Sequence, residues 1–201
     1  MKTIVINAGP KRKDINAQLA KSSAEGVKSQ GGDVEYVDLY RMDLSGCRVC
    51  LICKNDDEIC RCYWKDTLSD LIEKIFNSNC LIITVPIFFS QPTSHYMAFL
   101  ERLIYCMVSY KKGNKFKGKI NVGLMYTINY PKDYFEKSIK PNLKQSEDLL
   151  KMFNGKLIIE TFSNISKNMQ SQLSSDELKS KEEQLNLDLK RAYDIGVNLI
   201  K

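Results

Sequence analysis

The sequence predicts one α/β domain, spanning residues 1–201, in which a parallel β-sheet is covered by helices on both faces. Short β-branched apolar runs alternate along the chain with longer segments whose apolar residues have the three-to-four spacing of helices. Five strands and five helices alternate in this way, which is the pattern of a parallel sheet with helical crossovers. A length of 201 residues fits a single domain, because chains usually split only above roughly 250 to 300 residues.

The predicted strands are short apolar runs of the kind that parallel sheets bury on both faces. They are expected at residues 2–7, 33–39, 80–85, 119–126 and 155–161. The helices are expected at about residues 16–29, 66–78, 94–109, 134–153 and 175–200. A bend is expected at Pro141, since proline removes a helical hydrogen bond, and Ser174 or Ser175 is the predicted cap of the last helix.

The strand count and right-handed crossovers favour the strand order 2-1-3-4-5, which is that of the flavodoxin-like three-layer sandwich. In that order, the direction of strand addition reverses between the first and third strands. Ligands of such sheets bind outside the carboxyl ends of the strands at this reversal. The loops at residues 8–16 and 86–93 are therefore predicted to border a binding crevice.

Composition excludes several functional classes. The net charge is +6, and no nucleic-acid-binding motif accompanies this mild excess, so nucleic acid is not an expected partner. No apolar segment approaches the roughly 18 residues of a membrane helix, and the first residues do not form a signal peptide. We therefore expect a cytoplasmic protein that does not bind membranes.

The loop after the first strand, AGPKRKDIN, leads directly into a helix. A helix N-terminus offers free backbone N–H groups and the positive end of the helix dipole, which suits a phosphate. Lys11, Arg12 and Lys13 add positive charge. An ordinary turn with solvated lysines fits the same residues, so this loop alone leaves both interpretations open.

The loop after the third strand, PIFFSQPTS, places two aromatic residues between two prolines. Phe88 and Phe89 are not expected to enter the core together, because they follow a proline and precede a polar stretch. Two exposed aromatic rings at the strand-order reversal suit stacking against a flat ligand ring. A contact between subunits, or a cover over the core, is the alternative.

Together these stretches resemble the NADPH-dependent FMN reductase family of flavodoxin-like proteins. The matching residues are Asn7-Ala8-Gly9-Pro10-Lys11 through Asn16-Ala17, and Pro86-Ile87-Phe88-Phe89-Ser90 through Phe99-Leu100-Glu101-Arg102. The resemblance runs from Met1 to about Tyr130 and implies that the first loop wraps the FMN phosphate and the second follows the flavin ring. The implied cofactor-binding residues are Gly9, Pro10, Lys11, Asn16, Ala17, Pro86, Ile87, Phe88, Phe89, Ser90, Tyr126 and Thr127.

The resemblance also implies a function. It indicates an oxidoreductase in which NAD(P)H reduces FMN and the flavin reduces a small acceptor, in a homodimer or larger homo-oligomer. No catalytic side chain is expected, because the flavin supplies the chemistry. Two positions depart from the family pattern, since Gly9 and Ala17 replace hydroxyl residues of the phosphate loop. Each lost bond is worth on the order of 1.5–3 kcal/mol, so weakened FMN binding, or its loss, is an alternative.

The cysteines form the second chemical feature. Five of the seven lie between Cys47 and Cys62, and an odd number without an export signal does not indicate a disulfide framework. The spacing of Cys47, Cys50, Cys53 and Cys60 is of the kind that holds a 4Fe-4S cluster, and the loop resembles that of the iron-sulfur flavoproteins. Cys62 is the alternative fourth ligand. A zinc site and a thiol-rich loop without metal both remain open.

Overall fold

The structure, a computed structural model, describes residues 1–163 and 175–201. The strands are β1 Lys2–Asn7, β2 Asp33–Asp38, β3 Cys80–Phe88, β4 Gln91–Pro92, β5 Val108–Ser109, β6 Gly113–Asn114, β7 Ile120–Thr127 and β8 Asn154–Phe162. The helices are α1 Ile15–Ser29, α2 Thr67–Phe76, α3 Ser94–Met107, α4 Lys132–Tyr134, α5 Lys140–Leu150 and α6 Ser175–Ile200. The predicted cap residue Ser174 lies outside the described residues. In the described ranges, no helix has the length and apolar character needed to cross a bilayer.

Five strands form a parallel sheet in the order β2-β1-β3-β7-β8, which confirms the predicted flavodoxin-like order. Register is continuous across its centre, where Ile6 lies opposite Val37 on one side and Ile83 on the other. The prediction of five strands is incomplete, because β4 pairs antiparallel with the end of β3. β5 and β6 form a separate antiparallel pair, and β5 replaces the end of the predicted third helix. Strands of two residues are too short to produce a periodic pattern.

Each face of the sheet is covered by a separate apolar layer. Alternate residues of a strand point to opposite faces, so Ile4 and Ile6 join one layer and Val5 joins the other. The first layer includes apolar residues of α2, α3 and α5. The second includes apolar residues of α1 and α6. The arrangement confirms the predicted three-layer sandwich.

β3 is longer than predicted, since it continues past Val85 through Pro86 to Phe88. Proline normally ends a strand because it has no N–H to donate. The pairing of β3 with β1 ends near Thr84, whose carbonyl accepts a hydrogen bond from the Ala8 N–H at 2.9 Å. Pro86 therefore lacks a donor only on a side where β3 no longer has a partner.

The fourth predicted helix, residues 134–153, is interrupted as expected near Pro141. It begins at Lys132 as α4, passes through a π-helical turn at Phe135–Ile139 and continues as α5. Pro141 lies in the first turn of α5, where its missing N–H costs little. A single π-helical turn takes up the change between the two segments.

Helices α1 and α6 contact each other backbone to backbone at two glycines. A Cβ atom on Gly26 would lie 2.1 Å from the Tyr193 carbonyl oxygen, and one on Gly196 would lie 2.0 Å from the Ser23 carbonyl oxygen. The Ser22 hydroxyl donates to the Leu189 carbonyl at 2.7 Å across the same contact. No residue with a side chain fits at either glycine without moving one helix.

We expect Gly26→Ala and Gly196→Ala each to lower the free energy of unfolding by about 1–3 kcal/mol, because overpacking separates the helices. This loss would outweigh the higher helix propensity of alanine, about 1 kcal/mol. Urea denaturation measures the change, and Lys21→Ala on the exposed face of α1 is the matched control. Unchanged stability in both glycine variants would contradict the close helix contact.

Candidate functional site

A cavity of about 930 Å³ lies at the carboxyl ends of β1, β3 and β7, at the predicted strand-order reversal. Its walls come from three segments and one residue that follows β2. The lining residues are Pro10, Lys11, Arg12, Lys13, Asp14, Ile15, Asn16, Arg41, Pro86, Ile87, Phe88, Phe89, Thr127, Ile128, Asn129 and Tyr130. The volume falls in the upper part of the range of small-molecule sites, roughly 300–1,000 Å³.

Eight of the twelve predicted cofactor-binding residues line this cavity: Pro10, Lys11, Asn16, Pro86, Ile87, Phe88, Phe89 and Thr127. Gly9 and Ala17 are buried behind its wall, and Ser90 lies on the turn after Phe89. The side chain of Tyr126 packs in the core against Phe135, with ring centroids 6.3 Å apart. The roles of all twelve residues in binding FMN stay predictions.

Arg41 was not among the residues predicted to line the cavity. Arg41 ends the short 3-10 turn that follows β2. The carboxyl ends of parallel strands share one edge of a sheet, so the position of Arg41 just after a strand was the available signal. Asp14 and Ile15 lie within the predicted first loop.

The side-chain amide of Asn16 joins three strand ends at the floor of the cavity. Its Nδ2 donates to Asn7 Oδ1 at 2.6 Å and to Thr84 Oγ1 at 3.0 Å. Its Oδ1 accepts a hydrogen bond from the Thr127 hydroxyl at 3.2 Å. Asn7, Thr84 and Thr127 belong to β1, β3 and β7. A buried polar network with its bonds made fixes the relative positions of these elements.

Gly9 is part of the same arrangement. Its N–H donates to Asn7 Oδ1 at 3.0 Å, and a Cβ atom on Gly9 would lie 2.8 Å from Asn16 Nδ2. A side chain at this position would require the Asn16 amide to shift. The residue at position 9 and the position of the Asn16 amide are therefore coupled.

One part of the cavity is cationic. The four cationic residues that line it are Lys11, Arg12, Lys13 and Arg41. Arg12 is paired with Asp38, with 3.5 Å between Nε and Oδ2, and Asp14 caps α1 by accepting the Ala17 N–H at 3.0 Å. Within the described part of the chain, the other three cations have no carboxylate at ion-pair distance. They are available to an anionic ligand.

The hairpin of β3 and β4 contributes the aromatic side chains of Phe88 and Phe89 to the cavity wall. Phe88 pairs with Gln91, so the turn consists of Phe89 and Ser90 alone. Both turn residues have positive φ, 51° and 63°, as in a type I′ turn. Phe88 is 46% exposed and Phe89 is 96% exposed, which confirms that the two rings do not enter the core together.

A second cavity, much smaller than the first, lies at the cysteine loop, which we define as residues 45–66. Side chains of α3 hold both ends of this loop. Arg102 is 3% exposed and donates to both carboxylate oxygens of Asp66, at 2.6 and 2.9 Å. Its Nη2 also lies 3.2 Å from Cys62 Sγ. Burial would raise the pKa of Asp66, but the Arg102 guanidinium outweighs it and lowers that pKa. Glu101 accepts the Cys47 N–H at 2.9 Å.

A buried ammonium group holds the middle of the cysteine loop. Lys115 is 1% exposed, and its Nζ donates to the carbonyl oxygens of Cys53, Asp56 and Ile59 at 2.7, 3.0 and 2.8 Å. An ammonium group has three N–H bonds, and each has one carbonyl partner here. The path of the loop is therefore fixed by contacts between protein groups.

Four thiols of this loop surround its cavity of about 20 Å³: Cys47, Cys50, Cys53 and Cys62. Cys60, a predicted ligand, instead lines a separate hollow with Lys115 and Lys117. Among the described residues, no three histidine, cysteine or acidic side chains stand close enough together to hold a metal ion. Burial also raises the pKa of Cys53 and of Cys60, which disfavours the thiolate that metals bind. The donors suit a cluster chemically, but their placement does not fit one.

The chain is similar to proteins of one known family. The model of the family described as NADPH-dependent FMN reductase matches residues 1–130. An iron-sulfur flavoprotein of Methanocaldococcus jannaschii is 21% identical over 123 residues, which cover 61% of this chain and 62% of that protein. An iron-sulfur flavoprotein of Archaeoglobus fulgidus is 26% identical over 102 residues, which cover 51% and 48%. The match thus spans about three fifths and about half of these relatives' lengths.

The fold is also that of a solved structure, the NAD(P)H:quinone oxidoreductase of Methanothermobacter marburgensis. The TM-score is 0.75 at 17% identity, with 100% of this chain and 98% of that chain covered. This likeness concerns the fold alone. Every residue that lines the large cavity falls within the stretch that the family model matches.

We expect Lys115→Met to lower the free energy of unfolding by at least about 1–3 kcal/mol, the cost of leaving a buried carbonyl without a donor. Urea denaturation measures the loss. Lys119→Met removes an exposed ammonium group from the same segment and is expected to change stability by less than about 0.5 kcal/mol. Equal stability of the two variants would contradict the role given to Lys115.

Proposed function

We propose that this chain, which belongs to the NADPH-dependent FMN reductase family, binds FMN in the large cavity and passes electrons from NAD(P)H to a small acceptor. The observation that supports this most is that the cationic side chains of the cavity follow β1 and β2, whereas the aromatic rings of Phe88 and Phe89 come from the neighbouring hairpin at the end of β3. FMN combines an anionic phosphate with a flat ring, and these two groups suit the two parts of the cavity. The position at the strand-order reversal is where sheets of this order bind ligands.

The phosphate would bind at the first loop, beside Lys11 and Lys13. Backbone N–H groups of the loop residues after Pro10, together with the α1 dipole, support an anion at this point. Asp14 already accepts the Ala17 N–H, and neither Gly9 nor Ala17 brings a hydroxyl. Phosphate binding would therefore depend on the two ammonium groups more than it does where the loop carries hydroxyl donors.

The flavin ring would lie along Pro86–Ser90, with the segment from Tyr126 to Tyr130 as the other wall. When bound, FMN would supply the redox chemistry, hydride acceptance from NAD(P)H and electron donation to the acceptor. The chain's own residues would bind and orient the ring and keep water from it. Asn16 would act by fixing the strand ends that carry both walls.

The proposal includes the partners and location that the family resemblance implies. NAD(P)H and the acceptor would enter the cavity from solvent, and the protein would act in the cytoplasm as a homodimer or larger homo-oligomer. The resemblance is the support for these points, and the openness of the cavity at Phe89 is compatible with entry from solvent.

A second candidate function is single-electron transfer through a 4Fe-4S cluster in the cysteine loop, which would require its thiols to come closer together than they stand in the structure. The observation in its favour is that Cys47, Cys50, Cys53 and Cys62 surround one cavity, and both curated relatives are iron-sulfur flavoproteins. Cys60 would have to turn toward this cavity to serve as the fourth ligand instead. Iron and sulfide analysis of protein purified without oxygen decides between the candidates. Stoichiometric iron would support the cluster, and iron-free yellow protein would eliminate it.

We expect FMN to bind at least about tenfold more tightly than riboflavin, which lacks the phosphate, because one charge-assisted contact is worth about 1.5–3 kcal/mol. Lys11→Ala and Lys13→Ala should each reduce this ratio by weakening FMN binding alone. Quenching of flavin fluorescence measures both affinities. Lys21→Ala, which removes an exposed ammonium group of α1 outside the cavity, is expected to leave the ratio unchanged.

Equal affinity for FMN and riboflavin would contradict the phosphate position. Quenching of neither flavin would contradict the proposed function itself. That second outcome would favour the remaining alternative, a flavodoxin-like domain that no longer binds flavin and serves as a binding module.

A further inference from the structure

Phe89 has the highest exposure among the large apolar side chains of the described residues, and it stands on a strained turn. Its ring is 96% exposed although it lines the cavity. Its φ is 51°, in the left-handed region that side chains with a Cβ atom rarely adopt, and Ser90 follows at 63°. The two central positions of such turns are normally Asn-Gly or Gly-Gly, so Phe89 and Ser90 are unfavourable residues for this turn.

The surroundings hold the turn in this conformation. The pairing of Phe88 with Gln91 closes the hairpin. Immediately after β4, the Thr93 hydroxyl donates to the Ala8 carbonyl at 2.9 Å, which ties the hairpin to the first loop. Strained residues that are held this firmly cluster at functional sites, because the strain fixes where a side chain stands. Here it fixes an apolar ring at the mouth of the cavity.

On the basis of the proposed function, we propose that Phe89 determines specificity for the electron acceptor by packing against a flat, apolar aromatic molecule. Phe88 is paired with Gln91, whereas Phe89 stands in the turn itself with a highly exposed side chain, which is accessible to a ligand that enters and leaves. Covering that ring removes apolar surface from water, and offset stacking adds to the gain.

The chemistry of the turn distinguishes the acceptor from the nicotinamide cofactor. NAD(P)H carries a diphosphate that requires cations, whereas the tip from Phe88 to Gln91 has no charged side chain. The cations of the cavity belong instead to the first loop and to Arg41, which follow β1 and β2. The tip therefore suits an uncharged aromatic acceptor such as a quinone.

Steady-state kinetics with two acceptors test this role. Menadione is a flat quinone that takes a hydride equivalent from NADPH and one proton from solvent to become its hydroquinone. Ferricyanide takes single electrons and needs no aromatic contact. With FMN in excess, we expect Phe89→Gly to raise the KM for menadione about tenfold, a larger change than any in the KM for NADPH or in the rate with ferricyanide.

Gln91→Ala is the matched control, because it alters an exposed side chain beside the turn, lies outside the residues assigned to the flavin and keeps the Phe89 ring. Phe89→Gly is expected to raise the Tm by about 2–4 °C, since glycine accepts positive φ without strain, and Gln91→Ala is not expected to raise it. Only Phe89→Gly is expected to change the KM for menadione. A rise in the Tm of Phe89→Gly also shows that the kinetic change does not come from misfolding.

Three outcomes would contradict the role of Phe89 without contradicting the proposed function. They are an unchanged KM for menadione in Phe89→Gly, an equal loss with menadione and ferricyanide, and a change of oligomeric state that assigns the ring to contact between copies. Wild-type protein that binds FMN yet oxidises NADPH with neither acceptor would contradict the proposed function and, with it, this inference.

Discussion

The side-chain amide of Asn16 holds together the three strand ends that form the floor of the large cavity. It donates to groups of β1 and β3 and accepts a hydrogen bond from β7, so one residue of α1 sets the spacing of these three strand ends. Its position also requires Gly9, because a Cβ atom there would meet Asn16 Nδ2. The first loop, the hairpin and the wall after β7 all start from this floor. The walls of the cavity are therefore positioned by contacts between protein groups.

The order of the parallel sheet was predictable because each central strand is buried on both faces and reads as a continuous apolar run. The pattern failed where structure depends on partners distant in sequence. Pro86 predicts a strand end in the sequence, yet β3 continues through it. The strand stays paired with β7, and the missing Pro86 N–H would have pointed to the β1 side, where β3 has no partner beyond Thr84. The two-residue strands β4 and β5 are likewise products of pairing, with no period of their own.

The same distinction applies to the site. Loops at the strand-order reversal predicted most of the cavity wall, but strand alternation separates Thr127, which faces the cavity, from Tyr126, which faces the core. The cysteine loop has neither helical nor strand periodicity in its apolar residues, so the spacing of its cysteines could not decide which thiols face inward. Lys115 and Arg102 reach the loop from outside it, and the thiols that share its cavity include Cys62 and not Cys60.

The function assigned to the large cavity depends on a flavin that is reduced while it is bound there. The most direct measurement is the absorption spectrum of the FMN-loaded protein during anaerobic addition of NADPH. We predict that the visible flavin band disappears in proportion to added NADPH and returns when a quinone is added. A visible band that persists with excess NADPH, in protein shown to hold FMN, would contradict it.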